Sequence, residues 1–293
     1  MTLVVDVEAV VDGMVLELGH IAGHVYGGHR SERRRLRSPG VTNEELLEVL
    51  RAAAGAVRGA LDALDDWGPA GAAATHAGQY HSDVAADAAA VAILDSAGLG
   101  VLSEESGLHH GDRALLVALD PVDGSTNASR RLPWYATSLC AVDAGGPLAA
   151  VVVNQATGEA FEAFRGHGAF SAGRRLAASK CTSLGSAVVG LAGWPPRHGG
   201  WRQMRALGAA ALDLCAVGAG RLDAYVDFSF ASHGPWDYLG GMLVCQEAGA
   251  AMADAWGRDL LCRDHDDRRT PVAAATPELL TALVAMRTEM NGQ

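Results

Sequence analysis

The stretch that most constrains the fold of this chain is LVALDPVDGSTNAS, residues 116–129. It opens with an apolar run that is typical of a buried strand, and it then sets Asp120 and Asp123 on either side of a Pro-Val pair. An unpaired charge beside a hydrophobic core is costly. The pattern therefore predicts a strand that ends at a proline-fixed turn, where both acids are compensated.

The residues after the two acids indicate what compensates them. Two adjacent carboxylates repel each other unless one is protonated or a cation lies between them. Gly124 lets the backbone approach a ligand closely, and the N–H groups that follow, with the Ser125 and Thr126 hydroxyls, are suited to an anion. This combination predicts a divalent cation that bridges protein and phosphate, and Mg2+ prefers such oxygen ligands. Taken alone, the Asp-Pro and Asp-Gly dipeptides are also typical of an ordinary turn.

Two further acidic segments favour the metal interpretation. VLSEESG places Glu104 and Glu105 directly after another short apolar run, where a helix cap or an exposed loop is the alternative. GPWDYLGG places Asp237 beside Trp236 at the start of an apolar helix, where simple N-capping is the alternative. The occurrence of all three segments in one chain favours a shared cation site.

The composition limits the classes of partner and compartment. With 293 residues and a formal net charge of -11, the chain lacks the positive surface that nucleic acids and anionic membranes require, so we expect neither partner. Five scattered cysteines without a CxxC pair predict no disulfide framework and no zinc site, and they favour a cytoplasmic protein. The N-terminus has no basic signal-peptide start, and no apolar stretch is long enough to cross a bilayer.

Changes of pattern divide the chain into three parts. Thr42 and Glu45 form a capping box that predicts the start of a long amphipathic helix, and SDVAADAAAVAILDSAG predicts a second helix. Closely spaced apolar runs then predict an antiparallel meander, and from about residue 181 strands alternate with helices. We therefore predict an N-terminal extension over residues 1–40, an α+β half over 41–180 and an α/β half over 181–293.

The motifs SEESG, DPVDGSTN and PWDYLGG occur in the order and wording of the magnesium-dependent, lithium-sensitive phosphatases. The chain most resembles the inositol monophosphatase family, from about Leu46 to the C-terminus, and GAAALDLCAVGAGRLDAYVD belongs to the resemblance. The resemblance implies an α+β fold, a layered αβαβα sandwich of the inositol monophosphatase / fructose-1,6-bisphosphatase type. It also implies a homodimer that binds a small phosphorylated substrate.

The resemblance further implies two or three Mg2+ ions per site. The implied ligands of the first ion are Glu104, Asp120 and the backbone carbonyl of Val122, and those of the second are Asp120, Asp123 and Asp237.

The resemblance also implies roles in substrate binding and catalysis. Gly124 and Ser125 present N–H groups to the phosphate, Ser125 and Glu104 orient the attacking water, and Asp87 supports the serine hydroxyl from behind. The implied contacts of the alcohol are Ala209, Ala210 and Asp227, and Asp123 is also counted among the substrate-binding residues.

The implied activity is that of a Mg2+-dependent phosphomonoesterase that hydrolyses a small polyol phosphate, with inositol monophosphate as the first substrate to test. One alternative is a phosphatase of the same superfamily for 3'-phosphoadenosine 5'-phosphate, fructose 1,6-bisphosphate or histidinol phosphate. Another is a catalytically silent sugar-phosphate binding protein, against which the retention of all four metal carboxylates argues.

Some positions depart from the usual pattern of the family. They are Leu239, Ala128 and Asp227, and the segment DFSFASHGPWD is slightly longer than its counterpart. These departures spare the metal ligands, and we expect them around the substrate. Phosphatase chemistry therefore follows more directly from the resemblance than inositol specificity does.

Overall fold

The computed structural model describes residues 42–70 and 79–290 of the chain. The predicted extension over residues 1–40 lies outside the described residues. Within the described ranges, no helix combines the length and the apolar character needed to span a membrane.

Two helices, α1 (Asn43–Asp62) and α2 (His81–Ser96), form the first layer. Helix α1 begins at the predicted capping box, where the Glu45 N–H donates to Thr42 Oγ1 over 3.2 Å and the Thr42 N–H donates to the Glu45 carboxylate over 2.6 Å. The two helices pack against each other and cover one face of the first sheet. The apolar residues of α1 that recur at helical spacing are buried there: Leu46, Leu50, Val57 and Leu61.

The first sheet has eight strands in the order β2-β1-β3-β4-β5-β6-β7-β8. Its strands are β1 (Gly100–Ser103), β2 (Gly107–His109), β3 (Leu116–Asp123), β4 (Ala136–Asp143), β5 (Gly146–Asn154), β6 (Ala160–Phe164), β7 (Gly168–Ser171) and β8 (Arg174–Arg175). Strand β1 runs parallel to β3, and from β3 onward each strand pairs antiparallel with the next. The predicted meander is therefore confirmed.

The second sheet has five strands in the order β10-β9-β11-β13-β12. Its strands are β9 (Val188–Ala192), β10 (Gln203–Arg205), β11 (Ala224–Asp227), β12 (Ala251–Asp254) and β13 (Pro271–Ala274). Strand β9 runs parallel to both β10 and β11, whereas β13 is antiparallel to its two neighbours.

The remaining helices complete the layers. After the one-turn helix α3 (Ser125–Ser129), α4 (Ala210–Gly218) and α5 (Pro235–Glu247) pack between the two sheets, and α6 (Pro277–Glu289) covers the outer face of the second sheet. The resulting order of layers is α, β, α, β, α. The predicted α+β fold, a layered αβαβα sandwich, is confirmed.

Candidate active site

The two acids of the DPVD segment lie at a bulge in β3. The strand does not end at Asp120 as the sequence predicts, because β3 continues to Asp123 and its register against β4 shifts between these two residues. The Val122 N–H donates to Asp120 Oδ1 over 3.0 Å, and the Pro121 carbonyl accepts a 2.9 Å bond from Thr137 Oγ1. These bonds fix the bulge and hold both carboxylates at the carboxyl end of the strand.

Three carboxylates from separate elements meet at this end of β3. Glu104, Asp120 and Asp237 each offer one oxygen, and these oxygens all lie within 4.8 Å of one another. Glu104 directly follows β1, which is parallel to β3, and its N–H donates to the Leu119 carbonyl over 3.0 Å. Asp237 lies in the first turn of α5. The fold thus brings together acids that are far apart in the sequence.

The electrostatics of this cluster favour a bound cation. Burial raises the pKa of Asp120 well above its usual value, and the charge of Glu104 raises it further. Burial and the charge of Asp237 likewise raise the pKa of Glu104. A cation between the carboxylates would relieve this cost, and a set of carboxylate oxygens is the donor set that Mg2+ prefers. The cluster therefore fits a magnesium site.

Asp123 lies beside this cluster and also faces helix α4. Its carboxylate accepts bonds from the backbone N–H groups of Ala210, over 3.2 Å, and Ala211, over 2.6 Å. Burial raises the pKa of Asp123 to about 7, with a further contribution from the charge of Asp237. Its role as a ligand of a second ion stays a prediction.

The turn after Asp123 requires glycine. Gly124 has φ +91°, in the left-handed region, and an added Cβ would lie 3.0 Å from the Gly208 carbonyl oxygen and 3.3 Å from the Cβ of Ala209. Ala209 and Ala210 are themselves buried at the start of α4, so little of either side chain is open to a ligand. Their predicted contact with the alcohol stays a prediction.

The Ser125 hydroxyl has two partners. It donates to the Val122 carbonyl over 2.9 Å, and it also forms a hydrogen bond with the Asp83 carboxylate. Because a serine hydroxyl carries one proton, Val122 and Asp83 compete for it. Burial raises the pKa of Asp83 to about 6, although the bond to Ser125 opposes this rise.

The prediction that Asp87 supports Ser125 is wrong. The Asp87 carboxylate accepts a hydrogen bond from the Ser103 hydroxyl, whose oxygen in turn accepts the Glu105 N–H over 3.1 Å. Asp83 lies one helical turn earlier on α2, and it is the residue that reaches Ser125. Asp87 instead holds the turn that carries Glu104.

Asp227, at the end of β11, is a fully buried carboxylate, and one of its two oxygens lacks a hydrogen-bond partner among the described residues. Its Oδ1 accepts bonds from the Ser229 N–H, over 2.7 Å, and from the Ser229 hydroxyl. Among the described residues, no hydrogen-bond donor reaches Oδ2, and its neighbour is His233 Nε2 at 3.7 Å.

His233 lies between Asp227 and Asp237 and was missed by the sequence predictions. Its Nδ1 lies 3.2 Å from Asp237 Oδ2, and its Nε2 lies 3.1 Å from the Tyr225 hydroxyl. Burial alone would lower the pKa of His233, but the bond to Asp237 and the charges of Asp237 and Asp227 outweigh it and raise the pKa to about 9. The two neighbouring carboxylates thus favour the protonated imidazole. A histidine four residues before Asp237 was the available sequence signal.

Asp213 of α4 is a second buried acid that the sequence predictions missed. Its carboxylate accepts a 2.9 Å bond from Trp134 Nε1. Burial raises the pKa of Asp213 to about 8, and the charge of nearby Asp123 adds to this rise. A single aspartate inside an apolar helix gave the only sequence signal.

The geometry agrees with the comparison to known families. The chain matches the family model of the inositol monophosphatase family over residues 83–291, more than half of its length. It belongs to the inositol monophosphatase family. Members of this family are phosphatases.

Proteins that are similar in sequence carry different functional names, and a solved structure shares the fold. "Nus factor SuhB" of Salmonella typhimurium is 32% identical over 209 residues, which covers 65% of this chain and 74% of the relative. A "Fructose-1,6-bisphosphatase" of Pyrococcus furiosus is 31% identical over 194 residues, 64% of this chain and 75% of the relative. The solved structure of an "Extragenic suppressor" from Pyrococcus furiosus aligns with a TM-score of 0.71 and 26% identity. The alignment covers 82% of this chain and 99% of the suppressor chain.

Two of the departures from the family pattern have side chains that face away from the site. Leu239 and Ala128 are both about 1% exposed and lie in hydrophobic core clusters. The expectation that they surround the substrate is therefore wrong, since neither offers surface to a ligand. Asp227 and the segment that connects it to Asp237 do lie at the site.

Proposed function

We propose that this member of the inositol monophosphatase family is a Mg2+-dependent phosphomonoesterase for small polyol phosphates, with inositol monophosphate as the first ester to test. The observation that carries the proposal is the convergence of Glu104, Asp120 and Asp237 within 4.8 Å. Asp123 and the Gly124–Ser125 turn lie directly beside these acids. Carboxylates next to backbone N–H groups are suited to hold a phosphate through a cation.

The proposed metal ligands are divided between two ions, and a third ion per site is allowed. Glu104, Asp120 and the Val122 carbonyl would hold one ion, and Asp120, Asp123 and Asp237 the other. When bound, Mg2+ supplies water activation at neutral pH and neutralises the charge that develops on phosphate and leaving alcohol.

The chain itself supplies positioning on the phosphate side. The N–H groups of Gly124 and Ser125 would bind phosphate oxygens, and the positive φ of Gly124 lets the backbone come close enough. With its proton donated to Asp83 or to the Val122 carbonyl, the Ser125 oxygen is left to accept a hydrogen bond from the attacking water. Glu104 would accept the second hydrogen bond of that water.

The alcohol side is supported by Asp227 and His233. The unpaired Oδ2 of Asp227 is a buried acceptor suited to a hydroxyl group of a polyol. The imidazole of His233 lies between Asp227 and Asp237, with Nε2 3.7 Å from Asp227 Oδ2 and Nδ1 3.2 Å from Asp237 Oδ2, so it would position both carboxylates.

The relatives give the second candidate substrate. One relative is named as a fructose-1,6-bisphosphatase, which favours fructose 1,6-bisphosphate as the next ester to test after inositol monophosphate. The homodimer and the cytoplasmic compartment rest on the resemblance and on the free cysteines, respectively.

A panel of esters tests the proposal. Phosphate release would be measured with Mg2+ and with a chelator from inositol 1-phosphate, fructose 1,6-bisphosphate, 3'-phosphoadenosine 5'-phosphate and histidinol phosphate. We expect Mg2+-dependent release, fastest from the polyol esters, and a raised Michaelis constant for these esters in Asp227→Asn. Binding of an ester with no release in Mg2+ would instead identify a silent binding protein.

A further inference from the structure

The C-terminal helix carries a fully buried arginine. Arg287 lies in the last turn of α6 and is 0% exposed. A charge at this depth is costly unless its donors are used. Its Nε donates to the Asp227 carbonyl over 2.6 Å, and one terminal nitrogen donates to the Ser229 carbonyl over 2.9 Å. Arg287 therefore binds the backbone that follows β11.

Aromatic side chains surround the same guanidinium. Its carbon lies 5.1 Å from the centre of the Phe228 ring and 5.5 Å from that of Trp256, distances at which a cation and a ring attract each other. The Trp256 ring lies 6.3 Å from the ring of Phe230. Arg287 thus holds residues 228–230 through the rings as well as through the backbone.

The backbone of this segment needs such support. Residues 228–232 connect Asp227 to His233, and Ala231 within this segment has φ +47°, a left-handed conformation that an alanine rarely adopts. The Ala231 N–H donates to Thr270 Oγ1 over 3.2 Å. A segment in this conformation is kept in place by its surroundings, because its own backbone preference opposes the conformation.

We propose that Arg287 is a positioning residue for the alcohol side of the active site. It fixes the segment that begins at Asp227 and ends at His233, and so it fixes the unpaired oxygen of Asp227 relative to the acids of the metal site. The inference rests on the proposed function, since it assigns Asp227 to the alcohol. Glu104 follows β1 and Asp120 lies within β3, both outside this segment. Asp237 contacts His233, but its carboxylate also accepts the Gly234 N–H over 2.7 Å at the start of α5. The arrangement of the three acids is therefore expected to survive when Arg287 is changed.

The test compares two esters. Inositol 1-phosphate offers hydroxyl groups to Asp227, whereas phenyl phosphate has none. For Arg287→Met we expect the ratio of kcat/KM for inositol 1-phosphate to kcat/KM for phenyl phosphate to fall about tenfold, mainly because KM for inositol 1-phosphate rises. A tenfold change is the size expected for the loss of one hydrogen bond to a charged group. The inhibition constant of inorganic phosphate, which binds on the metal side, should stay nearly unchanged.

Matched variants separate positioning from stability. Leu283→Ala removes a side chain that is also 0% exposed and lies one turn earlier on α6, so it lowers the melting temperature without releasing the segment. Arg287→Lys keeps the charge and should restore part of the ratio. Trp256→Leu removes one ring from the guanidinium at a half-exposed position and should lower the ratio in the same direction, even where Arg287→Met does not fold.

The outcomes are distinguishable. If the wild type releases phosphate from both esters and the Arg287 and Trp256 variants change the ratio no more than Leu283→Ala does, Arg287 has only a structural role and the inference is overturned. If the wild type releases phosphate from neither ester in Mg2+, the proposed function fails, and the inference fails with it. A ratio that falls in Arg287→Met and Trp256→Leu, recovers partly in Arg287→Lys and stays constant in Leu283→Ala supports the inference.

Discussion

The Asp123 carboxylate accepts a 2.6 Å hydrogen bond from the backbone N–H of Ala211. This bond joins the end of β3, in the first sheet, to the first turn of α4, between the sheets. A helix N-terminus attracts negative charge, and this attraction opposes the burial that raises the pKa of Asp123 to about 7. The layers of the fold and the proposed metal site therefore meet at one side chain.

Replacing Asp123 should weaken the response to magnesium. Asp123→Asn keeps the shape of the side chain but removes a charge that we assign to the second ion. A cation that binds only the folded state stabilises it by about 2.7 kcal/mol at a hundredfold excess over its dissociation constant. The increase in melting temperature on adding Mg2+ should therefore shrink in Asp123→Asn. Thermal unfolding with and without Mg2+ measures this increase. Equal increases in the wild type and in Asp123→Asn would show that Asp123 does not bind the metal.

Ser125 and Asp83 should act as one unit. Ser125→Ala and Asp83→Asn should each lower kcat more than they raise KM, because the hydroxyl orients water while the backbone N–H groups still bind phosphate. Since one hydrogen bond links the two residues, the double variant should be no slower than the slower single variant. Steady-state kinetics of the four proteins measures this coupling.

A surface acid on the same helix provides the control for this cycle. Asp95 of α2 is half exposed and pairs with Arg113, far along the helix from Asp83. Asp95→Asn should leave kcat unchanged. Strictly additive losses from Ser125→Ala and Asp83→Asn would show that they do not cooperate.

The acids of the proposed metal site could be located from the sequence because their signals are local. Asp120 and Asp123 follow an apolar run, and Asp237 precedes another, so the ends of β3 and the start of α5 are visible in the pattern. The choice between Asp83 and Asp87 was not visible. Both lie on one face of α2, and only the packing of that helix against β1 and β3 decides which carboxylate reaches Ser125.

Other parts of the site depend on contacts between distant segments. His233 contacts Asp237 because of the conformation of residues 228–233, which includes a left-handed alanine that no local rule predicts. Leu239 and Ala128 were expected at the substrate, yet helix packing directs both into the core. The sequence pattern identifies which residues are apolar, whereas the tertiary fold decides which core or cleft each one faces.

Gly124 should resist substitution more than another left-handed glycine does. Gly124→Ala combines positive φ, which costs about 1–2 kcal/mol for a residue with a Cβ, with a 3.0 Å approach to the Gly208 carbonyl. Gly98 also has positive φ, at +75°, but nothing lies within 4 Å of its added Cβ. Gly124→Ala should therefore lower both the melting temperature and kcat/KM, and Gly98→Ala only the melting temperature. Equal losses of kcat/KM in the two variants would refute the close approach at Gly124.

Magnesium should stabilise the protein more at higher pH. The pKa of Asp123 is raised to about 7 and that of Glu104 well above its usual value, whereas unfolded carboxyls titrate near 4. Between these values the metal-free folded site holds protons that the unfolded chain has lost, so the contribution of these groups to the free energy of unfolding falls as the pH rises. Mg2+ displaces these protons, so the increase in melting temperature on adding Mg2+ should be larger at about pH 8 than at about pH 6. Equal increases at the two pH values would contradict the raised pKa values.

The most direct test of the account is the rate of phosphate release as a function of Mg2+ concentration, for the wild type and for Asp120→Asn, with inositol 1-phosphate or whichever ester of the panel is fastest. Asp120 is the acid that we assign to both ions, so its replacement removes a charged ligand from each. Wild-type release should rise from background with Mg2+ and return to background with a chelator. Asp120→Asn should remain orders of magnitude slower at every Mg2+ concentration. Release by Asp120→Asn at the wild-type rate in Mg2+ would contradict the account.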